Sequence, residues 1–412
     1  MMIGCSTGVI TVQVSDHHTD TFNIASSDCE SLLRSMKSLK VGCSFEHSDT
    51  GNHHVWNAFR KALIENTVQT DSLIQALLLP SLDPSFQKDV EIFLLQNLED
   101  RGEWNVLDSL KRSFEQRTTA LTQVAAAAPD MTKNLSDLPD TLLIEFSSTG
   151  VPIVEVMING SKRRFWLDTG SSEMVISSDI AKEIGVQMTE GLFDSIPTAT
   201  TWVPGYPAMI EHLLIGKSGF NSVPCLILDE WYLHKKILLL FTEFKIDGII
   251  GWRVLKEMDV EIDYPESRLV IRSPRTDVKP KNNLLFLERP YLRLNDSEGR
   301  PLLMFLDTGA EFSSFSDVFN IQYPDLSSSW ILLSYQGVGG SSLRFCKTIH
   351  RISMYAGENI VHLNDLPIVP ADFAKFVSHD GLLGSDFFRT GKIRLDWTNR
   401  TFEFTQSQRC IE

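Results

Sequence analysis

Two stretches of this 412-residue chain are built on one plan, and such duplication restricts a fold more than any composition does. Phe165-Trp166-Leu167-Asp168-Thr169-Gly170 recurs as Met304-Phe305-Leu306-Asp307-Thr308-Gly309. A turn glycine stands eight residues before each Asp, as Gly160 and Gly299. Downstream, Asp247-Gly248-Ile249-Ile250-Gly251 recurs as Asp380-Gly381-Leu382-Leu383-Gly384. Sixteen residues later, each copy has an Asp in an apolar run, Asp263 and Asp396. Four landmarks repeated in one order imply two units of the same architecture.

The pattern around these landmarks is that of strands. Val154–Ile158 and Arg164–Leu167 flank Asn159-Gly160, a strong hairpin signal. From Thr141 onward, short apolar runs alternate with Gly, Pro and Asn turns, so a β-dominated region is expected. The first third reads differently. Residues 1–50 are polar and weakly patterned, and helical spacing follows at Val55, Phe59, Ala62 and Leu63. Asp83-Pro84 has the form of a cap followed by Pro at the first helical position, with an apolar face of Phe86, Val90, Phe93, Leu94 and Leu98 behind it. Leu107, Leu110 and Phe114 continue the pattern, and Asp130–Asp140 reads as a linker. Expected units are therefore 1–140, polar and helical, then two lobes, 141–283 and 284–412.

The chemistry of the duplicated motif follows from its residue types. An apolar strand anchors each Asp, Gly permits a tight turn and close approach, and the Thr hydroxyl can bond a backbone group of the twin loop. If the units meet about a pseudo-twofold axis, Asp168 and Asp307 face each other. Two carboxylates that close share one proton and titrate as a unit; aspartic proteases are the standard example of such a pair. One carboxylate then serves as general base on a water and the other polarises a carbonyl. The bland alternative, an Asp-capped turn, explains one copy but not two.

Residues from about Thr141 to Phe404 resemble the retropepsin-like and pepsin-like aspartic peptidases, and in particular bacterial members with two fused retropepsin-like units. The resemblance implies a mainly β, bilobal acid-protease fold of two duplicated barrel-like lobes, here preceded by a small helical region. It implies catalysis by Asp168 and Asp307, supported by Thr169, Gly170 and Ser171 in one lobe and Thr308, Gly309 and Ala310 in the other, with Ile249-Ile250-Gly251 and Leu382-Leu383-Gly384 packed behind. It implies endopeptidase activity on an extended polypeptide, with neither metal nor cofactor, by a chain that needs no second copy. The rival reading is a non-hydrolytic peptide-binding module on the same fold. Ser171 offers a hydroxyl that Ala310 lacks, so Asp168 is expected to ionise more readily. The resemblance also implies a glycine-tipped flap: Gly337, Val338 and Gly339 fit it in the second lobe. In the first lobe, Trp202–Pro207 is the expected counterpart, with Tyr206 as flap tyrosine or simply a loop aromatic.

The remaining signals are weaker. A formal net charge of -15 argues against a nucleic-acid backbone as partner. Met1-Met2-Ile3-Gly4-Cys5-Ser6 resembles the end of a bacterial lipoprotein signal without its basic and apolar regions. It leaves open a lipid anchor at Cys5 with a place in the cell envelope or periplasm, and a cytoplasmic location as the alternative. Cys225 and Cys346 sit in apolar runs and read as buried thiols, and Cys29–Cys43 is the only sequence-local pair. His17-His18 and His53-His54 lack metal-ligand spacing. The first third is acidic in balance, which suits a partner-binding or lipid-tethered domain better than an inhibitory segment over an acidic cleft.

Overall fold

A computed structural model describes residues 10–14, 18–20, 42–45 and 84–407, except 115, 199–200, 237–242, 276–280, 282, 288, 339, 357–358 and 371–378. Cys5, Cys29, Cys410, His17, His53, His54, Gly339 and the spacing of residues 55–63 lie outside the described residues.

The fold is mainly β, and its two large sheets share one order. In the first, strands run Asp194–Pro197, Trp202–Ile215, Ser218–Leu228, Met174–Ser177, Gly248–Ile250, Ser161–Leu167, Pro152–Ile158 and Glu145–Phe146. The sheet curls until Leu213 and Leu214 pair with Ile158 and Met157, which closes it as a barrel closes. In the second, Leu284–Leu287 and Arg289–Asp296 lead to Pro301–Leu306, Gly381–Leu383, Ser314–Ser316, Asn359–Val369, Gly340–Ala356 and Ser327–Gly337. Here Asn295 and Asp296 pair with Tyr355 and Met354 to make the same closure. Asn159 at φ 48 and Gly160 at φ 82 form the hairpin turn that their dipeptide predicts.

A third sheet joins the two, in the order Thr401–Gln406, Gly391–Asp396, Asp259–Asp263, Arg268–Arg272, Asp140–Leu143. At its centre Val260 pairs with Leu395 and Ile262 with Ile393. The repeat aligns Val260 with Ile393 and Ile262 with Leu395, so exchanging the copies leaves the pairing unchanged. A pseudo-twofold axis passes through this point. Arg394 forks onto the buried Asp259 with bonds of 2.8 and 2.7 Å. The recurring strand aspartates, Asp263 and Asp396, each accept from the backbone N three residues on, Glu266 N and Asn399 N, both at 3.1 Å, and so serve the turns after their strands. One apolar cluster runs across the seam between the sheets, with Trp252, Phe165, Phe315, Phe387 and Phe388 wholly buried.

Among the described residues before these three sheets are three helices, α1 (Pro84–Arg101), α2 (Trp104–Ser113) and α3 (Ala120–Ala127), and, in the part expected to be polar and helical, a small sheet of Ile10–Val14, His18–Asp20 and Gly42–Phe45. The helices bury Leu94, Leu95, Leu98, Trp104, Leu107 and Ala125 against one another. The stretch expected to be a free linker is not one. Thr132–Asn134 adds a strand to the first sheet by pairing with Gly219–Asn221, and Met131 and Leu135 pack on the core. A polar, proline-containing composition marked a linker, but backbone pairing to a sheet edge needs no apolar side chains.

Helix α3 rests on the strand Trp202–Ile215. Asp194, on the neighbouring strand, accepts from Ala120 N and Leu121 N at 2.8 and 2.9 Å and so caps α3 from outside, beside the local cap by Thr119. Asp194→Ala is expected to cost about 1 kcal/mol, the usual value of a helix N-cap. A urea midpoint indistinguishable from wild type would contradict this.

Candidate active site

The two Asp-Thr-Gly loops meet at the pseudo-twofold axis and hold each other by side chain to backbone bonds. Thr169 N donates to Thr308 Oγ1 and Thr308 N to Thr169 Oγ1, both at 3.0 Å. Each hydroxyl donates in turn to the strand before the opposite Asp, Thr169 to Leu306 O at 2.7 Å and Thr308 to Leu167 O at 2.8 Å. Both threonines are fully buried, so these four bonds are shielded from water.

The loops are also braced from behind. Asp168 N donates to Ile250 O and Asp307 N to Leu383 O. A Cβ on Gly251 would collide with the Glu173 and Ser171 carbonyls, and one on Gly384 with Phe312 and the Ala310 carbonyl. Only glycine lets these segments approach so closely. The Asp247 carboxylate accepts from Arg164 N at 2.9 Å and that of Asp380 from Leu303 N at 2.7 Å. These two aspartates therefore tie the strand leading to each Asp-Thr-Gly to the segment behind it, a larger role than serving their own turns.

The arrangement brings Asp168 and Asp307 together. Their side chains are hydrogen-bonded, and any Cβ on Gly170 would strike the Asp307 carboxyl, any on Gly309 that of Asp168. Gly170 N donates to Asp168 Oδ1 at 2.8 Å and Gly309 N to Asp307 Oδ1 at 2.9 Å. Burial pushes both carboxyls up from the ordinary 3.8, and Asp307 much further, because it also faces the charge of Asp168. Asp168 is held lower by the hydrogen bond from Asp307 and by the Gly170 and Ser171 amides. The more readily ionised partner is thus Asp168, but not through the Ser171 hydroxyl. That hydroxyl donates to Glu173 O at 2.8 Å.

Residues 154–254 match the family model described as aspartyl protease. The chain carries an aspartyl protease domain. The match spans Asp168 and Ile249-Ile250-Gly251, and it supports a protease role in broad class. No curated protein matches the chain.

The two segments expected to serve as flaps differ from each other. In the second lobe, Ser327–Gly337 and Gly340–Ala356 form a long hairpin, and Val338 at its turn packs against the first lobe's cluster of Val175, Val203, Leu228 and Ile249. In the first lobe, the expected turn at Trp202–Pro207 is instead strand, with Pro204 paired to Ser195 and Gly205 to Asp194. The strands on either side, Asp194–Pro197 and Trp202–Ile215, run antiparallel, and Thr198 N and Oγ1 donate to Thr201 O. Proline and glycine usually interrupt strands, which is why they pointed to the wrong segment. Tyr206 is half-buried in that strand, opposite Ile227 and 6.4 Å from the Phe193 ring, and not at a flap tip.

One group near the carboxylates has no counterpart in the repeat, so comparing the copies could not find it. Arg289 lowers the pKa of both Asp168 and Asp307 by its charge. The strand register puts Val151, a buried apolar residue, at the equivalent position of the first lobe.

Proposed function

We propose that the chain is an aspartic endopeptidase in which Asp168 and Asp307 share one proton. The observation that carries this reading is the pairing of two half-buried carboxyls whose environments push their pKa values apart. Asp168, ionised, takes a proton from a water lying between the pair. Asp307, protonated, donates its hydrogen to the substrate carbonyl oxygen. The water oxygen bonds to the carbonyl carbon and gives a tetrahedral diol; as the C–N bond breaks, the proton taken by Asp168 passes to the leaving nitrogen and a diol hydroxyl returns a proton to the Asp307 carboxylate. The Thr169 and Thr308 bonds keep both carboxyls in place, so little reorganisation accompanies the charge movement. One chain supplies both carboxyls, and the polypeptide lies extended between the lobes, beneath the Val338 hairpin.

The test is hydrolysis of an unfolded protein at acid and neutral pH with and without pepstatin. Cleavage that the inhibitor abolishes and a metal chelator leaves intact is expected. Cleavage that persists with pepstatin bound at saturating concentration, or no cleavage at any pH, sinks the proposal.

A further inference from the structure

We propose that Arg289 is a specificity residue that recognises a carboxylate of the polypeptide substrate on the second-lobe side of the cleft; the inference rests on the peptidase reading above. Arg289 opens the strand Arg289–Asp296 at a tight reversal, where it pairs with Leu287. Its guanidinium lies over the Phe305 ring, 5.5 Å from the centroid, and Phe305 stands two residues before Asp307. The register of its strand with Pro301–Leu306 places it beside the approach to Asp307, and its charge reaches Asp168, Asp307 and the buried His379. His379 is neutral there, since burial lowers it to about 4. Nε of Arg289 is buried without a hydrogen-bond partner, and among the described residues no carboxylate forms an ion pair with this side chain.

A half-buried guanidinium whose fork is unused is costly to keep and ready to bind. Its geometry matches a carboxylate in two parallel bonds. The nearby pair carries a single shared charge and is occupied in its own hydrogen bonds, so it does not consume the fork. The first lobe offers no equivalent. Val151 holds the matching place and is apolar and 1% exposed. The cation therefore marks one side of the scissile bond only, and preference should be confined to that side.

The ligand carboxylate has two sources, an internal Asp or Glu side chain or a free chain terminus. Cleavage of a peptide library identifies the preferred site, and C-terminally amidated peptide pairs then differ only by Asp or Asn at that position. Wild type is expected to favour the Asp peptide by about tenfold or more in kcat/KM, chiefly through KM. Arg289→Gln should bring the ratio near one, Arg289→Lys should retain part of it, and Arg289→Glu should invert it toward Lys-containing peptides. Loss of preference on amidation alone would assign the carboxylate to the chain terminus and uphold recognition by Arg289. A wild-type ratio near one for both internal and terminal carboxylates, or a preference unchanged in Arg289→Gln, overturns the proposal while leaving the peptidase reading intact. Wild type that cleaves no peptide and binds no pepstatin overturns both.

Discussion

Asp307→Asn is expected to lower kcat by about a thousandfold or more with little change in KM, because it removes a proton donor that acts only as the carbonyl is attacked. Asp168→Asn should be as damaging, since it removes the base. The same substitutions should separate activity from stability. The folded-state pKa of Asp307 lies well above its ordinary 3.8. At pH below 3.8 the group is protonated folded or unfolded and costs nothing. As pH rises through and beyond that value, the unfolded chain ionises freely while the folded chain must hold the proton or bury a charge. Its contribution to stability is therefore lost as pH rises toward the folded pKa. Asn cannot titrate, so Asp307→Asn should raise Tm at neutral pH by on the order of a few degrees, and the gain should vanish in acid. Asp168→Asn should show a smaller gain, because its carboxyl is shifted less. An inactive Asp307→Asn protein no more stable than wild type at neutral pH would contradict the assigned proton.

The pair and its immediate support were legible because duplication displays them twice. Asp168, Asp307, the two threonines and the glycine-ended segments behind them occupy matched places in two copies, and the pseudo-twofold contact follows from that match. Pro84 likewise opens α1 where Asp83-Pro84 placed a helix start. What stayed hidden lacked a twin or had a misleading composition. Arg289 is matched by the apolar Val151, so symmetry was silent about it. The Trp202–Pro207 strand carries turn residues because its partner strand and α3 hold it flat, a tertiary effect that local preference cannot anticipate. Asp194 capping a helix 74 residues earlier in the chain is of the same kind.

Arg253 shows how such distant contacts can dominate stability, and Arg253→Met is expected to cost about 3 to 5 kcal/mol. Its guanidinium forks onto Glu173, and the two side chains are only 8% and 11% exposed. The same group donates to Glu99 O near the end of α1 at 2.6 Å and lies 4.5 Å over the Trp104 ring of α2. Lys256, one turn on, donates to Asp100 O. The segment behind the Asp168 loop thus caps the carbonyl end of α1, where cations are favoured. Removing Arg253 leaves Glu173 charged, buried and unpaired, which is the main source of the loss. Arg253→Met with Glu173→Met should recover most of it, because a matched apolar pair needs no compensation. Arg253→Lys should recover little, since an ammonium cannot form the fork. Urea unfolding of the three variants decides the matter. A single substitution costing under about 1 kcal/mol would mean that the pair is no better than a surface one. A double variant no more stable than the single one would place the loss in the contacts to α1 and α2, making the helices, not the ion pair, the element that steadies the Asp168 loop.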